Sequence, residues 1–245
     1  MITVNFFRPR LSRPWTFLRR KQGPKVVCLF SYRYDKDLVP DLLENVAPFT
    51  DGWISWDDTA RKSLWYHEGD VRRALVEAAR QNGADWVLCM DPDERLDDGA
   101  REKIRELSLG DRWTIWGVRV RELFAPDQYR VDGIWGGKHG YRLFALNDGQ
   151  EFMNNNVHSG WYPLNPEYSM QIADINLYHL KMIYPENRKA RAELYKKIDT
   201  TGVQEIGYDY LADETDMILE TIPADRMYSP FRAAPPPIKV PVLAD

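Results

Sequence analysis

GADWVLCMDPDERL, residues 83–96, runs a short apolar strand directly into an acidic turn. Gly83 supplies a stop for the helical stretch before it. Asp85 to Met90 is brief, apolar and rich in strand formers, as expected of a strand covered on both faces. Asp91-Pro92-Asp93-Glu94 follows without a linker, which places two carboxylates two residues apart where the chain leaves the sheet. Oxygen donors in that pattern suit magnesium or manganese, ions that keep several waters and take substrate phosphates in their remaining positions. Such an ion acts as a Lewis acid on a departing diphosphate.

Upstream, the pattern repeats twice. Val26 to Phe30 reads as a first buried strand ending at Ser31-Tyr32-Arg33. Val39, Leu42, Leu43 and Val46 draw one apolar stripe along a helix that tolerates Pro40 near its start. Gly52 to Asp58 reads as a second strand ending in Asp57 and Asp58, and Val71, Ala74, Leu75, Ala78 and Ala79 mark a second helix. Strand, helix, strand, helix, strand predicts an α/β fold with a parallel sheet. Ligands bind beyond the carboxyl ends of such strands, so the three polar clusters are expected on one rim.

These motifs resemble the family 2 glycosyltransferases with the GT-A fold. The resemblance runs from Lys25 to about Leu107 and more weakly to about Asp199, and its most specific piece is the Gly83–Leu96 stretch, similar to the family's strand closing on Asp-x-Asp-Glu. It implies a Rossmann-type mixed sheet, mostly parallel, with helices on both faces. It also implies divalent-metal-dependent transfer of a sugar from a nucleotide-diphosphate donor to a hydroxyl acceptor, with inversion. By the same resemblance Ser31, Arg33, Asp57 and Asp58 meet the nucleotide, and Arg72 or Arg73 lies near the diphosphate beside Asp91. Glu94 and Asp93 are the candidate catalytic residues, Glu94 supporting the metal site or contacting the sugar. His158 and His179 stand where related enzymes place a third metal ligand or an acceptor-side group, whereas His67 and His139 read as surface groups. Thr59-Ala60-Arg61-Lys62 departs from the family pattern after Asp58, and its usual Glu-Asp base pair is missing, leaving Glu151, Asp174 and Asp132 as candidates for the base.

The second half reads as a helix near Gly99–Leu107 and strands at Trp113–Leu123, Tyr141–Leu146 and Ser169–Leu180. Gly133 to Gly140 reads as a mobile surface loop. A helix from Pro185 is expected to turn Ala190, Leu194 and Ile198 to one side, with Arg188, Lys189 and Arg191 available to phosphate or solvent. Trp135 and Trp161 are candidate platforms for a sugar ring.

The 245-residue chain divides into a basic arm (1–24), one main domain (25–222) and a proline-rich tail (223–245). A formal net charge of -4 gives no reason to expect a nucleic acid. Cys28 and Cys89 sit in apolar runs and read as buried thiols, which fits a cytoplasmic chain. The arm carries Arg8, Arg10, Arg13, Arg19, Arg20 and Lys21 among aromatics, in keeping with either a strap on the domain or peripheral contact with a membrane's inner face. Two rival functions remain: a sugar-phosphate nucleotidyltransferase, disfavoured because SYRYDKDL has no glycine to cradle a triphosphate, and a noncatalytic carbohydrate-binding or scaffold protein.

Overall fold

The computed structural model describes residues 1–6, 23–61, 68–154, 159–199 and 206–237. In chain order the elements are β1 (Ile2–Phe6), β2 (Val26–Tyr32), α1 (Val39–Val46), β3 (Gly52–Asp57), α2 (Glu68–Gln81), β4 (Trp86–Cys89), β5 (Glu94–Leu96) and α3 (Ala100–Leu107). There follow β6 (Thr114–Ala125), β7 (Gln128–Arg130), β8 (His139–Ala145), β9 (Ser169–His179), α4 (Pro185–Ile198) and β10 (Leu219–Thr221). All the strands belong to one sheet in the order β1-β3-β2-β4-β8-β6-β7-β10, with β9 pairing both β6 and β5.

Alternation along the central strands builds two cores, because successive side chains point to opposite faces. Val26, Cys28, Phe30, Trp86 and Leu88 pack with Leu42 and Val46 of α1 and with Ala100 and Ile104 of α3. Val27, Leu29, Val87 and Cys89 pack with Val71, Leu75, Val76 and Ala79 of α2 on the other face. Helices thus cover both faces, and the two free cysteines are buried on opposite sides of the sheet.

The sheet is mixed rather than mostly parallel. Among the described residues, β2–β3, β2–β4 and β6–β9 run parallel, whereas β1–β3, β4–β8, β5–β9, β6–β7, β6–β8 and β7–β10 are antiparallel. The first three core strands obey the expected crossover pattern. Beyond β4 the chain returns through β8 in the opposite sense, and an apolar run reads alike in either direction. Part of the N-terminal arm also joins the sheet: Phe6 of β1 faces Gly52, where an added Cβ would lie 2.4 Å from the Asn5 carbonyl oxygen. The arm's arginines and Lys21 lie outside the described residues.

Two further expectations are corrected. Gly133–Gly140 is no free loop, since Gly133–Trp135 forms a 3-10 turn with Trp135 buried and His139 begins β8. The helix α4 is rotated from its expected apolar face: Asn187, Arg188 and Ala192 are buried while Ala190 is exposed. At the C-terminus, Tyr228 is buried and bridges Asp97, and Ser229 offers its carbonyl to Asn45 Nδ2 at 2.8 Å. Residues from Pro235 to 237 are described, and the Pro235 carbonyl accepts from the Tyr184 hydroxyl at 2.5 Å; residues 238–245 lie outside the described set.

Candidate functional site

Parallel pairing of β2, β3 and β4 sends the chain out of the sheet on one rim at Tyr32, Asp57 and Cys89. Antiparallel β8 enters from that rim, and α2 begins there at Glu68. The acidic turn 91–94 is built tightly. Glu94 donates its N–H to the Asp91 carbonyl at 3.0 Å, and Asp91 returns its own N–H to Glu94 Oε2 at 2.8 Å. Glu94 Oε1 accepts from Arg142 Nη2 at 2.5 Å. Both Glu94 oxygens are therefore engaged, and the residue braces the turn; burial raises its pKa against the pull of Arg142. By contrast, the partly exposed Asp91 carboxylate accepts no hydrogen bond from any described residue.

β5 pairs antiparallel with β9, with Glu94 opposite His179, and Leu180 N donates to the Asp93 carbonyl at 2.8 Å. This ladder delivers His179 to Asp93: Nε2 lies 3.3 Å from Asp93 Oδ2, while Nδ1 lies 3.2 Å from Glu122 Oε1. Glu122 also pairs with Lys138, and Arg191 Nη2 stands 3.8 Å from Asp93 Oδ2. Burial works against ionising Asp93, but His179, Arg191 and Lys181 outweigh it and hold the carboxyl well below its usual range. Burial likewise opposes the imidazolium, yet Glu122 and Asp93 raise the His179 pKa. Alternating charges in a low dielectric stabilise one another strongly.

Sequence reasoning missed several members of this site. Asp35 lies just past β2, accepts from Arg33 N at 2.9 Å, and is pushed up to about 7 by burial and then by the charges of Asp93 and Asp91. Glu68 bonds Arg72 and accepts from Ser159 N at 2.9 Å. Arg95, 1% exposed, donates Nη1 to the Pro92 and Glu94 carbonyls at 2.7 Å each and Nη2 to the Leu38 carbonyl at 3.1 Å. It ties the acidic turn to the segment after Asp35. A lone charge within an apolar strand run, as at Arg142 in β8, is the signal that would have found one of them.

The remaining candidates fall in definite places. Ser31 is half-buried at the end of β2, and Arg33 Nη2 turns onto the Arg61 carbonyl at 2.5 Å. Asp57 caps its own turn through Thr59 N and Oγ1, at 2.9 and 2.6 Å, and Asp58 pairs with Arg61 Nε at 2.8 Å. Arg72 faces inward, its guanidinium 4.4 Å from the Trp161 ring centroid, whereas Arg73 pairs with Asp70 in solvent. Trp161 and Trp135 are buried at 1% and 3% exposure, so neither offers a face to a sugar ring. His139 is exposed against Tyr141; His158 and His67 lie outside the described residues.

None of the three base candidates joins the site. Asp174 is held far below its usual range by Lys103, Arg119 and Arg226, and the Arg130 fork draws Asp132 down to about 2. A carboxylate so stabilised is a poor proton acceptor near neutral pH. Glu151 is exposed next to Gln150, which bonds Arg80 near the end of α2 opposite Glu68.

No group of three or more His, Cys, Asp or Glu side chains is arranged to hold a metal among the described residues. The pair Asp93–His179 nevertheless has fitting donor chemistry: adjacent ligands on one octahedral ion lie roughly 3 Å apart, and two protein donors suffice when phosphate and water complete the shell. Glu122 behind Nδ1 supplies the carboxylate that usually orients a metal-binding imidazole.

No protein-family model and no curated protein matches the chain. Among solved structures it is similar to the crystal structure of a glycosyltransferase involved in the glycosylation of the major capsid of PBCV-1, at 15% identity and a TM-score of 0.28. That alignment covers 40% of this chain and 52% of the other, about half of its length. So loose a superposition has no bearing on chemistry. Among the described residues, no helix is long and apolar enough to cross a membrane.

Proposed function

We propose that the chain transfers a glycosyl group from a nucleotide-diphosphate sugar to a hydroxyl acceptor, with Asp93 and His179 holding a manganese or magnesium ion in the field of Asp91. The observation that carries this reading is the Glu122-braced His179–Asp93 pair on the rim where β2, β3 and β4 end, with the charges of Asp93 and Asp91 converging on Asp35. When bound, the ion neutralises charge developing on the leaving diphosphate.

In this reading the protein's own groups orient and compensate. Glu94 fixes the Asp91 backbone through the 2.8 Å bond and is itself fixed by Arg142, so its part is positioning rather than proton transfer. Glu122 holds the imidazole ring so that Nε2 faces Asp93. Arg72, stacked on Trp161, sets a cation on the α2 side of the site, within reach of the field of Asp91 and Glu68. Transfer proceeds with inversion, as the family resemblance implies.

The test is a panel of nucleotide sugars incubated with the full chain and manganese, scored by released nucleoside diphosphate. Release from one or a few donors that stops on chelation supports the proposal. Equal, chelator-insensitive background across the panel counts against it.

A further inference from the structure

Arg191 of α4 is a buried cation with most of its hydrogen-bonding capacity unused. Its side chain is 15% exposed, yet Nη1 makes one long bond, 3.3 Å, to the Tyr195 hydroxyl. Nη2 stands 3.8 Å from Asp93 Oδ2, beyond hydrogen-bond reach, and the buried Nε has no partner. Arg188, one turn earlier, shows the contrast. Its Nη1 donates to the Met182 carbonyl and its Nη2 to Glu214 Oε1, each at 2.7 Å, which ties down the helix.

Withdrawing a guanidinium from water is costly unless oxygens replace that water. Asp93 gives Arg191 only partial compensation, because its Oδ2 is already nearer to His179. Lys181 adds its positive field to both Asp93 and Glu122. Burial opposes the Arg191 cation while Tyr195, Asp93 and Asp35 favour it, yet among the described residues only the Tyr195 hydroxyl bonds it, so most of its N–H groups lack an acceptor oxygen within reach.

We infer that Arg191 binds phosphate oxygens of a diphosphate, its planar fork taking two oxygens at once on the α4 side of the acidic turn. Planar guanidinium matches phosphate bidentately, which a lysine ammonium cannot do. That this diphosphate is the sugar donor's rests on the proposed function. Anion binding by Arg191 does not.

Isothermal titration of the full chain with inorganic diphosphate separates the two, run with manganese and again with chelator, on the unaltered chain, Arg191→Met and Arg191→Lys. Manganese alone is titrated in parallel, and a nucleoside diphosphate is added to compete. We expect Arg191→Met to weaken diphosphate binding roughly tenfold or more, Arg191→Lys to recover part of it, and manganese binding to persist in both variants. Competition by the nucleoside diphosphate identifies the donor as the source. Equal diphosphate affinity in all three chains, or none in the unaltered chain under both conditions, overturns the inference. If Arg191→Met does not fold, Arg191→Lys decides, full retention of affinity counting against a bidentate role. Arg191-dependent diphosphate binding without any manganese binding would sink the metal part of the proposed function while sustaining this one.

Discussion

His179 Nε2 and Asp93 Oδ2 lie 3.3 Å apart, brought together by the antiparallel ladder that sets Glu94 opposite His179. Neither residue is placed by its sequence neighbours alone. β9 must dock on β5 before the acidic turn acquires its imidazole, so assembly of the site is coupled to a strand pairing between segments far apart in the chain.

That coupling predicts a stability effect. In the metal-free protein His179 bridges two buried carboxylates, Asp93 and Glu122. His179→Gln should destabilise the fold by about 3 kcal/mol, because removing one partner of a buried ion group strands the others. Urea unfolding in chelator measures this; a midpoint within error of the unaltered chain would show that the bridge is unimportant.

Arg95 should matter through the backbone. Arg95→Met leaves the Pro92, Glu94 and Leu38 carbonyls without their buried donor, a loss of about 3 kcal/mol. Burial already draws the Arg95 guanidinium down to about 10. Denaturant midpoints check the stability, and nucleotide binding under native conditions should weaken in parallel as the acidic turn loosens.

Legibility divided along physical lines. Core strands β2, β3 and β4 and helices α1 and α2 are readable because short continuous apolar runs and 3.6-residue apolar stripes lie wholly within each segment. The rim position of Asp91 and Asp93 followed from strand ends alone. Strand direction beyond β4 was not readable, since β8 and β9 present similar apolar runs whichever way they lie. Glu122 and Arg142 escaped notice because each needs a partner far along the chain, His179 and Glu94 respectively. The inward face of α4 was misjudged for a related reason. Arg188 is buried by Glu214 and the Met182 carbonyl, an interaction no helical wheel displays.

Asp35 gives a pH dependence with a definite sign. Its carboxyl is pushed up to about 7 in the fold, by burial first and by Asp93 next, against roughly 3.9 in an unfolded chain. The folded state therefore binds this proton more tightly, and its stabilising contribution is full below about pH 4 and lost as pH rises through about 7. In chelator, Asp35→Asn should be more stable than the unaltered chain at pH 8, with the gap closing toward pH 4. A constant difference across that range would contradict the assignment.

Adjacent arginines offer an internal control. Arg72 stacks on Trp161 and bonds Glu68, so Arg72→Ala should cost about 1 kcal/mol and weaken nucleotide binding. Arg73 pairs with Asp70 in solvent, and Arg73→Ala should change stability by less than about 0.5 kcal/mol and leave binding unaltered. Reversal of that order would mean that α2 presents its other face to the ligand.

The most direct test is the melting temperature of the full chain with UDP or GDP, in manganese and in chelator, alongside Asp91→Ala and Asp93→Ala. At least one nucleotide should raise the melting temperature of the unaltered chain only when manganese is present, and both substitutions should abolish the rise. No manganese-dependent rise with either nucleotide, or a rise that survives both substitutions, would contradict a cation shared between the acidic turn and a donor diphosphate.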